Sequence, residues 1–179
     1  MKLGCVVALM AGLAALKPAM GQVSVYADFS ASKMTNLIGS TEAYGPTLGV
    51  SGRLGTAYRV HVSGDVRAFR YSGGNLALGK NNLTLTGLSV GPKLSVSVHK
   101  FEPYVELAVG FARYDDGDGN PASKTTDGQT ELIAGTDYQV SKRFDWRVME
   151  FSYKQYYALG GEFNPKTLST GIVYHLGSR

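Results

Sequence analysis

From Val23 to the C-terminus the chain repeatedly alternates apolar and small or polar positions with a period of two, the pattern of strands with one greasy face. Eight such stretches follow one another. In the first, Val23, Val25, Ala27 and Phe29 oppose Ser24, Tyr26, Asp28 and Ser30. The second, near 44–54, sets Leu48 and Val50 against Thr47, Gly49 and Ser51. The third, 57–71, sets Tyr58, Val60, Val62 and Val66 against Arg59, His61, Ser63, Asp65 and Arg67. The fourth alternates Leu88, Val90, Pro92, Leu94, Val96 and Val98 with Ser89, Gly91, Lys93, Ser95 and Ser97. The fifth, 101–115, carries Val105, Leu107, Val109 and Phe111 opposite Tyr104, Glu106, Ala108 and Gly110. A weaker sixth, about 129–141, sets Leu132, Ala134, Thr136, Tyr138 and Val140 against Glu131, Gly135, Asp137 and Gln139. The seventh, 144–158, loses phase between Arg147 and Glu150, where a β-bulge lets both charges face one way. In the closing stretch Leu168, Thr170, Ile172, Tyr174 and Leu176 share one face, apolar except for the threonine.

The connections sort by length. Gly55-Thr56, His99-Lys100 and Lys142-Arg143 mark short turns, while 35–43, 72–80, 116–127 and 159–166 read as longer loops. Short and long therefore alternate, the asymmetry of bacterial transmembrane barrels. The non-apolar face is rich in Gly, Ser and Thr, with sparse charges of both signs, which suits the crowded lumen of an eight-stranded barrel better than a water-washed wall. The pattern predicts an all-β fold, an eight-stranded antiparallel up-and-down transmembrane β-barrel. A soluble periplasmic barrel with a ligand cavity is the alternative, and the loop asymmetry argues against it.

Composition agrees, with 23 glycines and 11 tyrosines among 179 residues. Tyr58, Phe101, Phe144, Trp146 and Tyr174 fall near short-turn ends of the strands. Tyr44, Phe69, Tyr71, Tyr114, Tyr156 and Tyr157 fall near long-loop ends, so two interfacial girdles are expected. Residues 1–21 place Lys2 before an apolar run and end in Ala19-Met20-Gly21, the grammar of a signal peptide cleaved after Gly21. The barrel domain then spans 22–179. Loss of Lys2 and Lys17 lowers the net charge from +4 to +2, and no basic cluster points to nucleic acid. Cys5, the one cysteine, leaves with the signal, so no disulfide supports the exported chain.

The closing LSTGIVYHLG resembles the last strand of the OmpA-type transmembrane barrel, and VGPKLSV and PYVELAVGFARY resemble middle strands of the wider outer-membrane β-barrel-domain family. The resemblance implies export to the cell outer membrane of a Gram-negative-type bacterium, contact with its lipid and lipopolysaccharide, and insertion by the barrel-assembly machinery. Tyr174 and Leu176 would carry the family's C-terminal assembly signal, Leu176 standing where the family usually has an aromatic residue.

Three constellations carry possible chemistry. Charges inside a narrow barrel must pair, so Asp65, Arg67, Glu106, Arg147 and Glu150 are expected to form a lumen network. His61 and Ser63 share a face with Asp65, the residue types of a hydrolytic triad. Phasing aims them inward, however, whereas lipid A deacylases of similar architecture carry His-x-Ser facing the membrane. Asp115, Asp116, Asp118, Asn120 and Asp127 crowd one Gly-rich segment, but their spacing is not that of an EF-hand, and neither a metal nor a cofactor is expected. The expected role is structural or interactive: four external loops on a barrel whose lumen is plugged. A narrow passive pore for ions or small solutes is the alternative, and a lipid A acyl hydrolase a more distant one.

Overall fold

The computed structural model describes residues 22–36, 39–73, 83–115, 124–157 and 164–177. Eight strands run β1 (Val23–Asn36), β2 (Gly39–Ala57), β3 (Val60–Gly73), β4 (Leu83–Val96), β5 (Phe101–Asp115), β6 (Lys124–Gln139), β7 (Phe144–Tyr156) and β8 (Lys166–His175). Each pairs antiparallel with its neighbours in sequence, and β1 pairs with β8 to close the barrel. Closure leaves no unpaired sheet edge, the condition for a sheet to sit in lipid.

The wall is inverted relative to a water-soluble protein. Leu107, Phe111 and Ile172 are 56%, 55% and 59% exposed, whereas Arg147 and Lys154 are 1% exposed. Charged side chains are almost never fully buried unless paired, and a continuous apolar outer band in water would aggregate. Against hydrocarbon, the same band is matched to its surroundings.

Several boundaries differ from the sequence-based expectation. The turn expected at Gly55-Thr56 lies at Tyr58-Arg59, because the register shifts between Arg53 and Gly55 and Leu54 is the extra residue of a bulge. Tyr58 therefore sits in the turn, at φ 59°, and His99 holds the equivalent left-handed position at φ 57°. β1 and β2 stay paired as far as Asn36 opposite Gly39, so most of the expected 35–43 loop is strand ladder. β6 likewise begins at Lys124, inside the expected 116–127 loop. Backbone ladders need no side-chain alternation, so strand extensions without a greasy face leave no period-two trace.

Only part of the second aromatic girdle exists. Tyr44 and Tyr157 face outward, but Phe69, Tyr71 and Tyr156 are buried in the lumen and Tyr114 packs against them. Phe69 and Tyr71 lie two and four residues beyond inward Arg67, so the pleat sends them inward too. At the short-turn end Phe101, Phe144 and Trp146 do face outward, with Phe144 and Tyr174 in tilted contact at 4.9 Å.

Candidate functional site

The lumen is where the chemistry collects, and strand phasing puts it there. Alternate residues of β3 aim His61, Ser63, Asp65 and Arg67 inward, and those of β5 aim Tyr104, Glu106 and Ala108 inward. On β7 the pleat alone would turn Glu150 outward, since it follows inward Arg147 by three residues. The register shift between Arg147 and Glu150 against β8, with a second between Thr136 and Asp137 on β6, brings both charges inside. Val148 and Met149 are left on the outer side of the bulge. Its loosened backbone is held by Thr170, whose hydroxyl donates to the Arg147 carbonyl at 2.8 Å and accepts from Trp146 Nε1 at 3.2 Å. Thr170, polar among the apolar Leu168 and Ile172 of the outer face, thus satisfies a carbonyl that lipid could not.

Two arginines organise the centre. Arg67 on β3 donates through Nη2 to Glu106 Oε2 at 2.8 Å and through Nη1 to Glu150 Oε1 at 2.9 Å, with Asp65 Oδ2 3.4 Å from its Nε. Arg147 on β7 reaches Asp28 Oδ2 at 2.9 Å, Asp137 Oδ1 at 3.0 Å and Glu150 Oε2 at 3.2 Å. Tyr104 donates to Glu150 Oε2 at 2.6 Å, and Tyr26 donates to Asp65 Oδ2 at 2.7 Å. Lys93 completes the layer, 3.7 Å from Asp137 Oδ2 and over the Tyr104 ring at 3.6 Å. In an eight-stranded barrel β3 and β7 are opposite walls, so the Arg67–Glu150 bridge crosses the lumen's full width.

Asp65, Arg67, Glu106, Arg147 and Glu150 are thus brought into one network. Sequence reasoning placed Asp28, Lys93 and Asp137 on the inner face without joining them to it, because parity reports a face and not a height. It missed Lys154, which bonds Glu131 Oε1 at 2.5 Å and Ser152 Oγ at 3.1 Å beside the network. Its phase with Glu150, four residues earlier, was the available signal.

The two ends of the lumen differ. Toward the long loops the lumen holds a mainly apolar cluster of Ala43, Phe69, Tyr71, Leu83, Leu85, Ala112 and Tyr156, with Asp127 buried opposite Ala112. Toward the short turns His175 Nε2 lies 2.7 Å from Asp145 Oδ2 and its Nδ1 2.7 Å from Ser24 Oγ. A polar cavity of about 30 Å³ beside them, reaching Lys93 and Arg147, has room for water.

The triad-like residues do not assemble. His61 Nδ1 lies 3.0 Å from Thr56 Oγ1 and its Nε2 2.8 Å from Ser97 Oγ, while Asp65 serves Tyr26 and Arg67. Both His61 and Ser63 are buried in the lumen, away from the lipid. Of the acidic segment, Asp116, Asp118 and Asn120 lie outside the described residues. Asp115 pairs with Lys124 at 3.1 Å and Asp127 is buried, and no group of three metal-ligating side chains occurs among the described residues. At the barrel seam, the Leu176 amide donates to the Val23 carbonyl at 2.9 Å with its side chain exposed, while Tyr174 is half-buried on the outer face.

No protein-family model and no curated protein matches the sequence. Solved structures do match. Neisserial surface protein A superposes with a TM-score of 0.68 at 16% identity, over 85% of this chain and 96% of that one. Ail, the attachment invasion locus protein of Yersinia pestis, matches in its complex with the heparin analogue sucrose octasulfate with a TM-score of 0.58 at 14% identity, over 87% and 98%. The outer membrane enzyme PagL matches at 0.53 and 13%, over 82% and 98%. With the inverted wall and the closed eight-strand ladder, these likenesses show the chain to be an eight-stranded transmembrane β-barrel with the fold of the bacterial outer-membrane proteins.

Proposed function

We propose that this barrel is a plugged, non-enzymatic anchor of the outer membrane, which holds its long connections outside the cell for a structural or interactive role. The observation that carries the reading is the Arg67–Glu150 bridge from β3 to β7, flanked by Arg147, Asp28, Asp137, Lys93 and Glu106. A solvated pore needs a water column along its axis. Here guanidinium and carboxylate groups meet across that axis, and the Phe69–Tyr71–Tyr156 cluster packs above them. Moving the pairs apart would leave buried charges unpaired, at several kcal/mol each.

The longer β3–β4, β5–β6 and β7–β8 connections all leave from one end of the barrel, which supports that end facing outward. Against catalysis stands the burial of His61 and Ser63, with both nitrogens of the His61 ring engaged by Thr56 and Ser97. Tyr174 and Leu176, beside the β1–β8 seam, are proposed to present the assembly signal to the barrel-assembly machinery.

Planar-bilayer recording of the purified protein tests the plug. No unitary conductance steps are expected from the folded protein, and steady single-channel steps would replace the plug with the pore.

A further inference from the structure

On the outer wall at the long-loop end, the register of β7, β8, β1 and β2 stacks two rows. The lower row runs Phe151, Leu168, Ala31 and Tyr44, each residue opposite the next. The upper row runs Tyr153, Lys166, Lys33 and Glu42. A groove of about 370 Å³ follows these rows, and Ala31 between Tyr44 and Leu168 forms its trough.

Lys33 and Lys166 are directly opposite, both exposed, so their Cβ atoms are about 5 Å apart. Like charges in that relation repel and destabilise the pair. Among the described residues, the lysine ion pairs belong to Lys93, Lys124 and Lys154. Glu42 stands beside Lys33, but its Oε2 accepts from the Tyr44 hydroxyl at 2.6 Å, and no ion pair with Lys33 forms. Two adjacent ammonium groups above an apolar trough, at the edge of a lipid-facing band, match an anion that carries its own hydrocarbon.

We propose that this face is a binding site for the phosphorylated lipid A portion of lipopolysaccharide. A phosphate bridges Lys33 and Lys166, turning their repulsion into two charge-assisted contacts. An acyl chain descends along Ala31, between Tyr44 and Phe151. Lipid A is the occupant because the proposal rests on the outward orientation of the long-loop end, which sets the site in the external leaflet. Phosphate charge complements the lysine pair, and the apolar row of the groove lies on the bilayer-centre side of it.

The test uses the full exported chain, purified in detergent, stripped of lipid and mixed with diphosphoryl lipid A, with retention read by native mass spectrometry. The double variant Lys33→Gln/Lys166→Gln is expected to retain it roughly tenfold less well, since two exposed ion pairs together are worth about 1.4 kcal/mol. Lys33→Arg/Lys166→Arg should keep binding, and Ala31→Trp should weaken it by filling the trough. Arg113→Gln, on β5 and away from the groove, should change nothing. Lipid A stripped of both phosphates should bind as weakly to the parent as the intact lipid does to the double glutamine variant.

Unchanged retention in the double glutamine variant, or an equal loss in Arg113→Gln, would overturn the site. Equal retention of phosphatidylglycerol by the parent would overturn the assignment to lipid A. Orientation is checked apart from the site, by labelling Lys124→Cys on intact cells with a membrane-impermeant maleimide.

Discussion

Arg147 and Leu107 lie on opposite faces of the same wall and obey opposite rules. Inside, Arg147 is 1% exposed and tolerable only because Asp28, Asp137 and Glu150 surround it. Outside, Leu107 is 56% exposed and has no directional partner. The inner face is specific in geometry, each group depending on a named neighbour. The outer face is specific only in polarity, and a range of apolar residues would serve. Removing a lumen partner should therefore be costly even when volume is conserved, whereas outer changes should matter only when they introduce charge or expose a backbone polar group.

The largest effect is expected from Arg147→Met. It leaves three carboxylates without their shared cation, and stability should fall by about 3–5 kcal/mol. Urea unfolding in lipid vesicles measures this. A much smaller loss for the combined Arg147→Met/Glu150→Gln change, relative to the sum of the single changes, would show that the cost lies in unpaired charge and not in lost packing.

Next comes Leu107→Arg, near the middle of the outward band of β5. A charge at the bilayer midplane of a barrel costs about 2–4 kcal/mol, and the same unfolding measurement reads it. Leu107→Ile should be nearly silent. If the isoleucine variant lost as much as the arginine variant, the outer wall would be packed on protein and not on lipid.

Thr170→Val sits on the boundary between the two faces. It keeps the shape and the outward position but removes the donor to the Arg147 carbonyl at the bulge. A loss of about 1–3 kcal/mol is expected for the unsatisfied buried group, with Thr170→Ser close to the parent. Equal stability of the valine variant would mean that the bulge holds without this bond.

The face of each residue was legible in the sequence for a simple reason. A strand has a period of two, and lipid and lumen demand opposite polarities, so alternation records the choice at every step. The bulge in β7 was legible through its violation of that rule, where Arg147 and Glu150 are an odd number of residues apart. Phe69, Tyr71 and Tyr156 were equally legible by parity, but nearness to a strand end was the weaker guide and assigned them to the girdle. Strand extents were not legible at the long-loop end, where β1 and β2 continue as a ladder to Asn36 and Gly39 without alternation.

Sequence alone thus determined which residues face lipid and which face the lumen, because that depends on the pleat of one strand at a time. It could say that Arg67 and Glu150 both point inward. Tertiary structure alone decided that they meet, because height in the barrel depends on the register of every intervening strand and on closure between β1 and β8. The same holds outside for Lys33 and Lys166, which are 133 residues apart in the chain. Only the seam that closes the barrel sets one opposite the other.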